Sequence, residues 1–206
     1  GVNNFFYHGF NYRYFGNEIM QQESAYGENG YTAFFSIGIN VGEANSLWPY
    51  FKDLNAYASR VNYLMQQGNP SVDVALYVPF NGSVSNSSGA AKELNENGYT
   101  WDAINDDAIQ NMAVWDDVNK VIKISGSEVT YKAIIVQDKS LPVQTVRALQ
   151  SLAEDGAPVI FYGENLPSRH PGFAGGKYAE LDAEINSIVN EMITNTAQYP
   201  EVEWIT

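Results

Sequence analysis

The sequence predicts an α/β fold in which helices cover both faces of a mostly parallel, doubly wound sheet. Two observations predict it. From residue 72 onward, apolar runs of strand length alternate with segments of helical periodicity, as in parallel strands joined by crossover helices. Several of these runs are nearly continuous, as in strands that are buried on both faces. Residues 1–68 lack this alternation, so we divide the chain into domains at residues 1–68 and 69–206.

The opening stretch, GVNNFFYHGF, predicts a core strand. Val2, Phe5, Phe6 and Tyr7 are β-branched or aromatic, and Gly9 ends the run. Neither an initiator methionine nor a signal-peptide pattern precedes this strand. The following residues, 11–46, are rich in Gly, Asn and Tyr, and we expect a long ordered loop there with a short strand at AFFSIGI.

A helix is predicted over residues 47–67. Ser46 is a suitable N-cap, Pro49 fits the first turn and Gly68 follows the end. One face of this helix is apolar, and we expect it to be buried. Its members are Leu47, Tyr50, Phe51, Leu54, Tyr57, Ala58, Val61, Leu64 and Met65.

The second domain is predicted to alternate strands and helices in a regular order. Strands are expected at residues 72–80, 99–104, 133–138 and 158–163, with an edge strand at 202–205. Helices are expected at residues 90–98, 105–112, 141–156 and 178–195. The segment VIKISGSEVTY predicts a hairpin that turns at Gly126 and Ser127.

The composition excludes several classes of function. Asp and Glu number 24 against 11 Lys and Arg, and the net charge of −13 repels nucleic acid and anionic membrane surfaces. No apolar run is long enough to span a bilayer. The absence of cysteine excludes disulfides, thiolate metal sites and a cysteine nucleophile, and two histidines alone make a poor metal-ligand set. We therefore expect no nucleic-acid partner, no membrane and no metal site on this chain.

The α/β domain lacks the motifs of the ligand-binding proteins that share its predicted architecture. PFNGSVSNSSG does not have the glycine spacing of a dinucleotide-binding turn. Asp106 and Asp107 stand where helix N-termini favour carboxylates, Asp138 is interpreted as a loop or capping carboxylate, and His170 as a solvated histidine. Asp116 and its neighbour Asp117 are expected to flank a turn. These interpretations favour a structural or interface role for residues 69–206.

The order of the segments resembles the end of a (β/α)8 catalytic barrel followed by a flavodoxin-like, glutamine amidotransferase-like α/β domain. The amino-acid sequence of these segments is similar to that of glycoside hydrolase family 106, the α-L-rhamnosidases. The similarity lies in GVNNFFYHGF, LWPYFKDLNAYASRVNYLMQQGNPSVDVALYVPF, YTWDAINDDAI, YKAIIVQD, LQSLAEDGAPVIFYG and LPSRHPGF. A weaker similarity of layout links the chain to β-galactosidases whose barrel precedes a comparable domain.

The resemblance implies a carbohydrate substrate and a site at the end of the opening strand. Active sites of such barrels lie at the C-terminal ends of the strands. The implied substrate-binding residues are Tyr7, His8, Asn11, Tyr12, Arg13 and Glu43. A histidine held in the core at a strand end is the alternative interpretation of His8.

The resemblance also implies an inverting glycosidase mechanism with two carboxyl groups. The general acid is expected on an earlier barrel strand, so the parent protein would supply it, and this chain alone would be inactive. The residues do not select the general base from the loop glutamates Glu18, Glu23, Glu28 and Glu43. The family implies calcium in the full-length parent and a periplasmic or extracellular location. The alternative function is a stand-alone carbohydrate-binding or interaction module without catalysis.

Overall fold

A computed structural model describes residues 4–5, 47–80, 82–172 and 178–206. The chain divides into two compact units, Gly1–Gly68 and Asn69–Thr206. Within the predicted opening strand only Asn4 and Phe5 are described, and both lie outside any strand, with Phe5 exposed. The rest of that strand and the predicted loop at residues 11–46 fall outside the described residues.

The first unit contains the predicted helix. A 3-10 turn at Trp48–Tyr50 leads into helix α1, Phe51–Met65, and the rings of Trp48 and Phe51 pack with centroids 5.9 Å apart. Pro49 lies in the 3-10 turn, where its missing N–H costs no helical hydrogen bond. Gly68 follows with a φ of 73°, a conformation that side chains with a Cβ disfavour. The sequence therefore placed the helix correctly.

The apolar face of α1 is mostly exposed within this chain, so its predicted packing against the α/β domain or a barrel stays a prediction. Phe51 is buried and Val61 is half-buried, whereas Leu54 is 51% exposed. The other exposed members of that face are Leu47, Tyr50, Tyr57, Leu64 and Met65. Helical periodicity identifies which side of a helix is apolar but carries no information about what covers it.

The second unit has an α/β architecture. Its strands are β1 Val74–Tyr77, β2 Trp101–Ile104, β3 Ala113–Asp116, β4 Val121–Ile124, β5 Thr130–Tyr131, β6 Ala133–Val136, β7 Val159–Tyr162 and β8 Val202–Ile205. Its helices are α2 Gly89–Glu96, α3 Asp106–Asn111, α4 Val143–Glu154 and α5 Tyr178–Thr194. Five strands form a parallel sheet in the order β2-β1-β6-β7-β8, and β3, β4 and β5 form an antiparallel sheet.

The two central strands are buried on both sides, as their continuous apolar sequences predict. All four residues of β1 and all four of β6 are buried, and Val74 pairs with Ala133 in register. The first strand is shorter than predicted because it ends at Tyr77. Pro79 has no N–H to donate to a neighbouring strand, and Phe80 lies 93% exposed in the turn closed by the Gly82 N–H and the Pro79 carbonyl at 2.8 Å.

Helices cover the two faces of the parallel sheet unequally. Helices α3, α4 and α5 pack on one face through Ile109, Leu149 and Ile185, all within the larger hydrophobic cluster. Helix α2 packs on the other face through Ala90 and Ala91. The predicted winding on both faces is therefore present, with α2 covering one part of its face. Among the described residues, no helix combines the length and apolar character that a membrane crossing requires.

The hairpin predicted at residues 121–131 is confirmed, since β4 pairs antiparallel with β5 through Ile122 and Tyr131. The sequence missed β3, which pairs with β4 on its other side. The turn expected at Asp116 is also confirmed: its carboxylate accepts hydrogen bonds from the N–H groups of Val118 and Asn119, both at 3.0 Å. A tight side-chain-stabilised turn of this kind closes the β3–β4 hairpin.

Candidate functional site

The residues predicted to bind sugar all lie outside the described part of the chain. Tyr7, His8, Asn11, Tyr12, Arg13 and Glu43 fall within residues 6–46. Their roles therefore stay predictions. The described residues do contain a polar cluster, at the carboxyl end of the parallel sheet.

This carboxyl edge is where β1, β2 and β6 end side by side. Tyr77 pairs with Ile104 in register, and the Val78 N–H continues the ladder to the Ile104 carbonyl at 2.9 Å. Strand β1 has β2 on one side and β6 on the other, so the chain reverses direction across the sheet at β1. Crevices at such reversals are the usual ligand sites of open α/β sheets.

A hydrogen-bonded network of four side chains joins β1, α3 and α4 at this edge. The Tyr77 hydroxyl donates to Asp106 Oδ1 at 2.9 Å, and the Thr145 hydroxyl donates to the same oxygen at 2.6 Å. Gln110 Nε2 then donates to Thr145 Oγ1 at 2.7 Å. Tyr77 and Thr145 are fully buried, so these hydrogen bonds replace the water that both hydroxyls lose on folding.

Helix α3 begins at the right place for this network because Asn105 caps it. Asn105 Oδ1 accepts from the Ala108 N–H at 3.0 Å, which leaves Asp106 in the first helical turn beside the sheet edge. The sequence analysis placed Asp106 and Asp107 at the N-terminus of this helix. Asn105 makes the capping bond, and Asp107 lies in the first turn, where it accepts from Asn111 Nδ2 at 2.8 Å.

Two carboxyl groups, those of Asp106 and Asp138, influence the Tyr77 hydroxyl at the carboxyl edge. Burial and the hydrogen bond to Asp106 raise the pKa of Tyr77 far above its usual range, with a further contribution from the charge of Asp138. Burial likewise raises the pKa of the Asp138 carboxyl, so its charged form is disfavoured. Asp138 lies in the loop after β6. It does not cap α4, whose N-cap is Pro142.

The loop after β1 is fixed to β6 by one side chain. Gln137 Oε1 accepts from the Ala90 N–H at 3.0 Å, at the start of α2. Gly89, the first residue of that helix, has a φ of 61°, and an added Cβ would lie 2.6 Å from the same oxygen. The free N–H at the start of α2 therefore has its partner within the protein.

His170 is half-buried, so the interpretation of it as a solvated histidine holds only in part. Its Nδ1 is buried and has no hydrogen-bond partner among the described residues. Its backbone N–H donates to Asp182 Oδ1 at 2.7 Å, and Asn186 Nδ2 donates to the Ser168 carbonyl at 3.1 Å, so α5 holds this loop. Flanking prolines indicated a surface loop but not its attachment to a helix 12 residues further along the chain.

At the carboxyl edge, the polar side chains hydrogen-bond one another and hold secondary-structure elements in place. Asp106 accepts from two protein hydroxyls on the same oxygen, and Thr145 is shared between Asp106 and Gln110. Within residues 47–80, 82–172 and 178–206, no three His, Cys, Asp or Glu side chains gather in a way that could hold a metal ion. The network fixes two helices to the sheet.

Sequence analysis missed the Tyr77–Asp106–Thr145 connection. Its members are separated by 29 and 39 residues, and no short-range motif links them. The available signals were a lone tyrosine in an apolar run and a threonine on the apolar side of α4. Each is a polar group that must find a partner when it is buried.

Comparisons with known proteins identify a family model that matches nearly the whole chain and relatives that match most of it. The glycoside hydrolase 106 family model, described as alpha-L-rhamnosidase, matches residues 3–203. A protein of Formosa agariphila with the provisional name beta-glucuronidase is 24% identical over 152 residues, which cover 73% of this chain and 12% of the relative.

A solved structure has a similar fold. The rhamnosidase of Novosphingobium sp. PP1Y superposes with a TM-score of 0.60 at 19% sequence identity. The match covers 82% of this chain and 16% of the rhamnosidase. The chain thus spans a small part of the length of both relatives.

Proposed function

The chain belongs to glycoside hydrolase family 106, the α-L-rhamnosidases, and we propose that it is part of a longer glycosidase acting on a rhamnose-containing polysaccharide. The observation that carries the proposal is the family match over residues 3–203. The small fraction of each relative that the chain covers, 12% and 16%, supports the view that the active enzyme is a longer polypeptide.

The proposal assigns each part of the chain a place in that enzyme. Residues 1–68 would supply the last strand, loop and helix of a (β/α)8 barrel, and residues 69–206 a flavodoxin-like accessory domain. For the accessory domain, support comes from the parallel sheet. Numbered along the chain, its five strands have the order 2-1-3-4-5, which is the order of flavodoxin.

The substrate site would lie at the end of the opening strand. In a (β/α)8 barrel the residues that contact the substrate follow the C-terminal ends of the strands. Tyr7 and His8 would end such a strand, and Asn11, Tyr12 and Arg13 would begin the loop after it. Aromatic rings stack on the apolar faces of sugars, while imidazole and guanidinium groups donate hydrogen bonds to hydroxyl oxygens.

The proposed reaction is inverting hydrolysis. A general acid protonates the glycosidic oxygen as the bond to the anomeric carbon breaks, and a general base removes a proton from the water that attacks the opposite face. The acid would come from the part of the enzyme outside this chain. Glu43, just before α1, is placed at the substrate site without an assigned catalytic step.

The family also implies calcium in the full-length enzyme. The described residues contain no group of three or more candidate ligands, so no step is assigned to a metal here.

The sugar specificity is best tested with two substrates. This chain is similar to proteins named as a rhamnosidase and, provisionally, as a β-glucuronidase, so both sugars are tested. The experiment is to express the native polypeptide that contains residues 1–206 and assay aryl α-L-rhamnoside and aryl β-glucuronide. We expect hydrolysis of the rhamnoside, with the inverted anomer of rhamnose as the first product in NMR spectra.

The outcomes separate the alternatives. Hydrolysis of the glucuronide alone would contradict the proposed rhamnose specificity but would still support glycosidase activity. Binding of a rhamnose polysaccharide without hydrolysis of either compound would identify a carbohydrate-binding module. Retention of configuration would contradict the inverting mechanism.

A further inference from the structure

The sequence contains three Asn-Gly pairs, at residues 29–30, 81–82 and 97–98. Asparagine is a thermolabile residue. It is most reactive before glycine, because glycine has no side chain to shield its backbone nitrogen from the neighbouring asparagine side chain. In the third pair both residues are described by the structure, and Asn97 and Gly98 are both exposed at the end of α2.

Helix α2 ends in two backbone hydrogen bonds that cross. The Tyr99 N–H donates to the Leu94 carbonyl at 2.9 Å, and the Gly98 N–H donates to the Asn95 carbonyl at 3.2 Å. Gly98 follows the C-cap with a φ of 78°, and these bonds form a Schellman motif. The Gly98 nitrogen is therefore a hydrogen-bond donor within the closed end of the helix.

This arrangement holds apart the two atoms that react in deamidation, the Gly98 nitrogen and Asn97 Cγ. Asn97 has a ψ of 6°, which places the Gly98 nitrogen beside the Asn97 nitrogen and away from the Asn97 side chain. That side chain is itself held, because Asn97 Nδ2 donates to the Glu93 carbonyl at 2.8 Å. Contact between the two atoms requires rotation about ψ, which breaks the hydrogen bonds that close the helix.

We propose that Asn97 is a site of spontaneous deamidation and that local opening of the last turn of α2 sets its rate. In the open state the Gly98 nitrogen gives up its proton and bonds to Asn97 Cγ. The bond from Cγ to Nδ2 breaks, and the departing amide takes up a proton and leaves as ammonia. Water then adds to one of the two carbonyl carbons of the resulting succinimide, which gives aspartate or isoaspartate at position 97.

Either product weakens the end of α2. A carboxylate at position 97 cannot donate to the Glu93 carbonyl, and its negative charge lies at the end of the helix that favours positive charge. Isoaspartate also adds a carbon atom to the main chain, so the spacing of the two closing bonds is lost. Asn95 Oδ1 accepts from Trp101 Nε1 at 3.1 Å in the same turn, so the modification acts where α2 meets the edge strand β2.

The test compares the native polypeptide that contains residues 1–206 in buffer and in guanidinium chloride, at one pH and temperature. Peptide mass mapping separates the asparagine, aspartate and isoaspartate forms of position 97. Three hydrogen bonds must break in the folded protein, which predicts a rate about 10- to 1,000-fold lower in buffer than in denaturant. Rates within about threefold of each other would overturn the proposal.

Thr145→Val separates local opening of α2 from unfolding of the whole α/β unit. The Thr145 side chain bonds to Asp106 and Gln110 of α3 and to no residue of α2. Local opening predicts that deamidation in buffer stays within about threefold of the unaltered rate. A larger rise, in step with the loss of stability, would place the reaction in the unfolded unit and overturn the proposal. The unaltered polypeptide in low concentrations of denaturant gives the same distinction without a substitution, because only global unfolding makes the rate rise steeply.

Gly98→Ala is the chemical control, measured in denaturant so that folding plays no part. The added methyl group hinders attack by the backbone nitrogen, so we expect the products at position 97 to form about tenfold more slowly or less. An unchanged rate in this variant would mean that the Gly98 nitrogen does not take part, and would contradict the proposed reaction.

Discussion

The Tyr77 hydroxyl and Asp106 Oδ1 lie 2.9 Å apart, joining the end of a buried central strand to the first turn of α3. Thr145 extends the contact to α4, because its hydroxyl donates to the same oxygen and accepts from Gln110. A buried hydroxyl in such a chain is costly to remove, since its former partners lose their hydrogen bonds.

Thr145→Val tests this network. The variant keeps the shape of the side chain but removes its hydroxyl. Gln110 Nε2 then loses its acceptor, and Asp106 Oδ1 loses one of its two donors. We expect a loss of about 1–3 kcal/mol in the free energy of unfolding, measured by urea titration. Thr145→Ser retains the hydroxyl and should lose clearly less. Equal losses in the two variants would show that the hydroxyl of Thr145 contributes no more to stability than its methyl group does.

Gly89→Ala tests the contact between α2 and β6. An alanine at this position must keep a φ of 61° and would place its Cβ 2.6 Å from Gln137 Oε1. Gly98 is the matched control, with a φ of 78° and no heavy atom within 4 Å of the added Cβ. We expect Gly98→Ala to lose about 1–2 kcal/mol from backbone strain and Gly89→Ala to lose more, by thermal or urea unfolding. Equal losses would mean that the Gln137 side chain moves aside without cost.

Asp138 predicts a dependence of stability on pH. Burial raises the pKa of its carboxyl in the folded protein, so the folded state binds this proton more tightly than the unfolded chain does. The stabilising contribution is fully present below about pH 4, the usual range for an unfolded aspartate, and is lost as pH rises through the folded pKa. Asp138→Asn should therefore be more stable than the parent chain at pH 7, with the difference narrowing toward pH 4.

Asp73 is expected to change the stability of the folded chain at pH 7 in the direction opposite to Asp138. Hydrogen bonds from Lys132 and Thr100 hold the pKa of its carboxyl well below the usual range. Its contribution is present above about pH 4 and is lost as pH falls toward the folded pKa. Asp73→Asn should therefore be less stable than the parent chain at pH 7, with a difference that also narrows in acid. Urea midpoints at pH 7, and at acid pH to below about 4 for Asp73→Asn, would check the two signs for both variants, and a shared sign at pH 7 would contradict the assignment.

Leu54→Ala and Phe51→Ala compare two positions on the apolar side of α1. Leu54 is 51% exposed in this chain, so its truncation should change the free energy of unfolding by about 0.5 kcal/mol or less. Phe51 is buried and packs on Trp48, so its truncation should cost about 3 kcal/mol or more. Urea unfolding of the 206-residue chain, followed by far-UV circular dichroism, measures both values. A cost above 2 kcal/mol for Leu54→Ala would show that the face is covered.

His8→Ala distinguishes a substrate contact from a core histidine in the native polypeptide. A hydrogen bond made to the sugar in the transition state predicts a fall in kcat/KM of roughly ten- to several-hundred-fold, with little change in Tm. A core histidine predicts a large fall in Tm, because its partners are left unpaired. Unchanged kcat/KM in the folded fraction would remove His8 from the proposed site.

The sequence was informative where local pattern decides structure. The continuous apolar runs identified β1 and β6. The helix predicted at residues 141–156 contains α4, Val143–Glu154, and Gly156 lies just after it with a φ of 101°. Covering partners were not predictable, because exposure of Leu54 and Phe80 depends on what packs against them. The Tyr77–Asp106 hydrogen bond could not be predicted from the sequence either, because it depends on how strands separated by a helix are paired.

The pairing of Val74 with Ala133 has a consequence for synthesis. The two residues are 133 − 74 = 59 positions apart, and every strand pair on that side of β1 must wait for β6 to be made. At a translation rate of about 5–20 residues per second, β1 spends roughly 3–12 s without its central neighbour. Until then, an apolar strand with an open edge is available to other chains, which makes this interval the one in which a chaperone would contribute most.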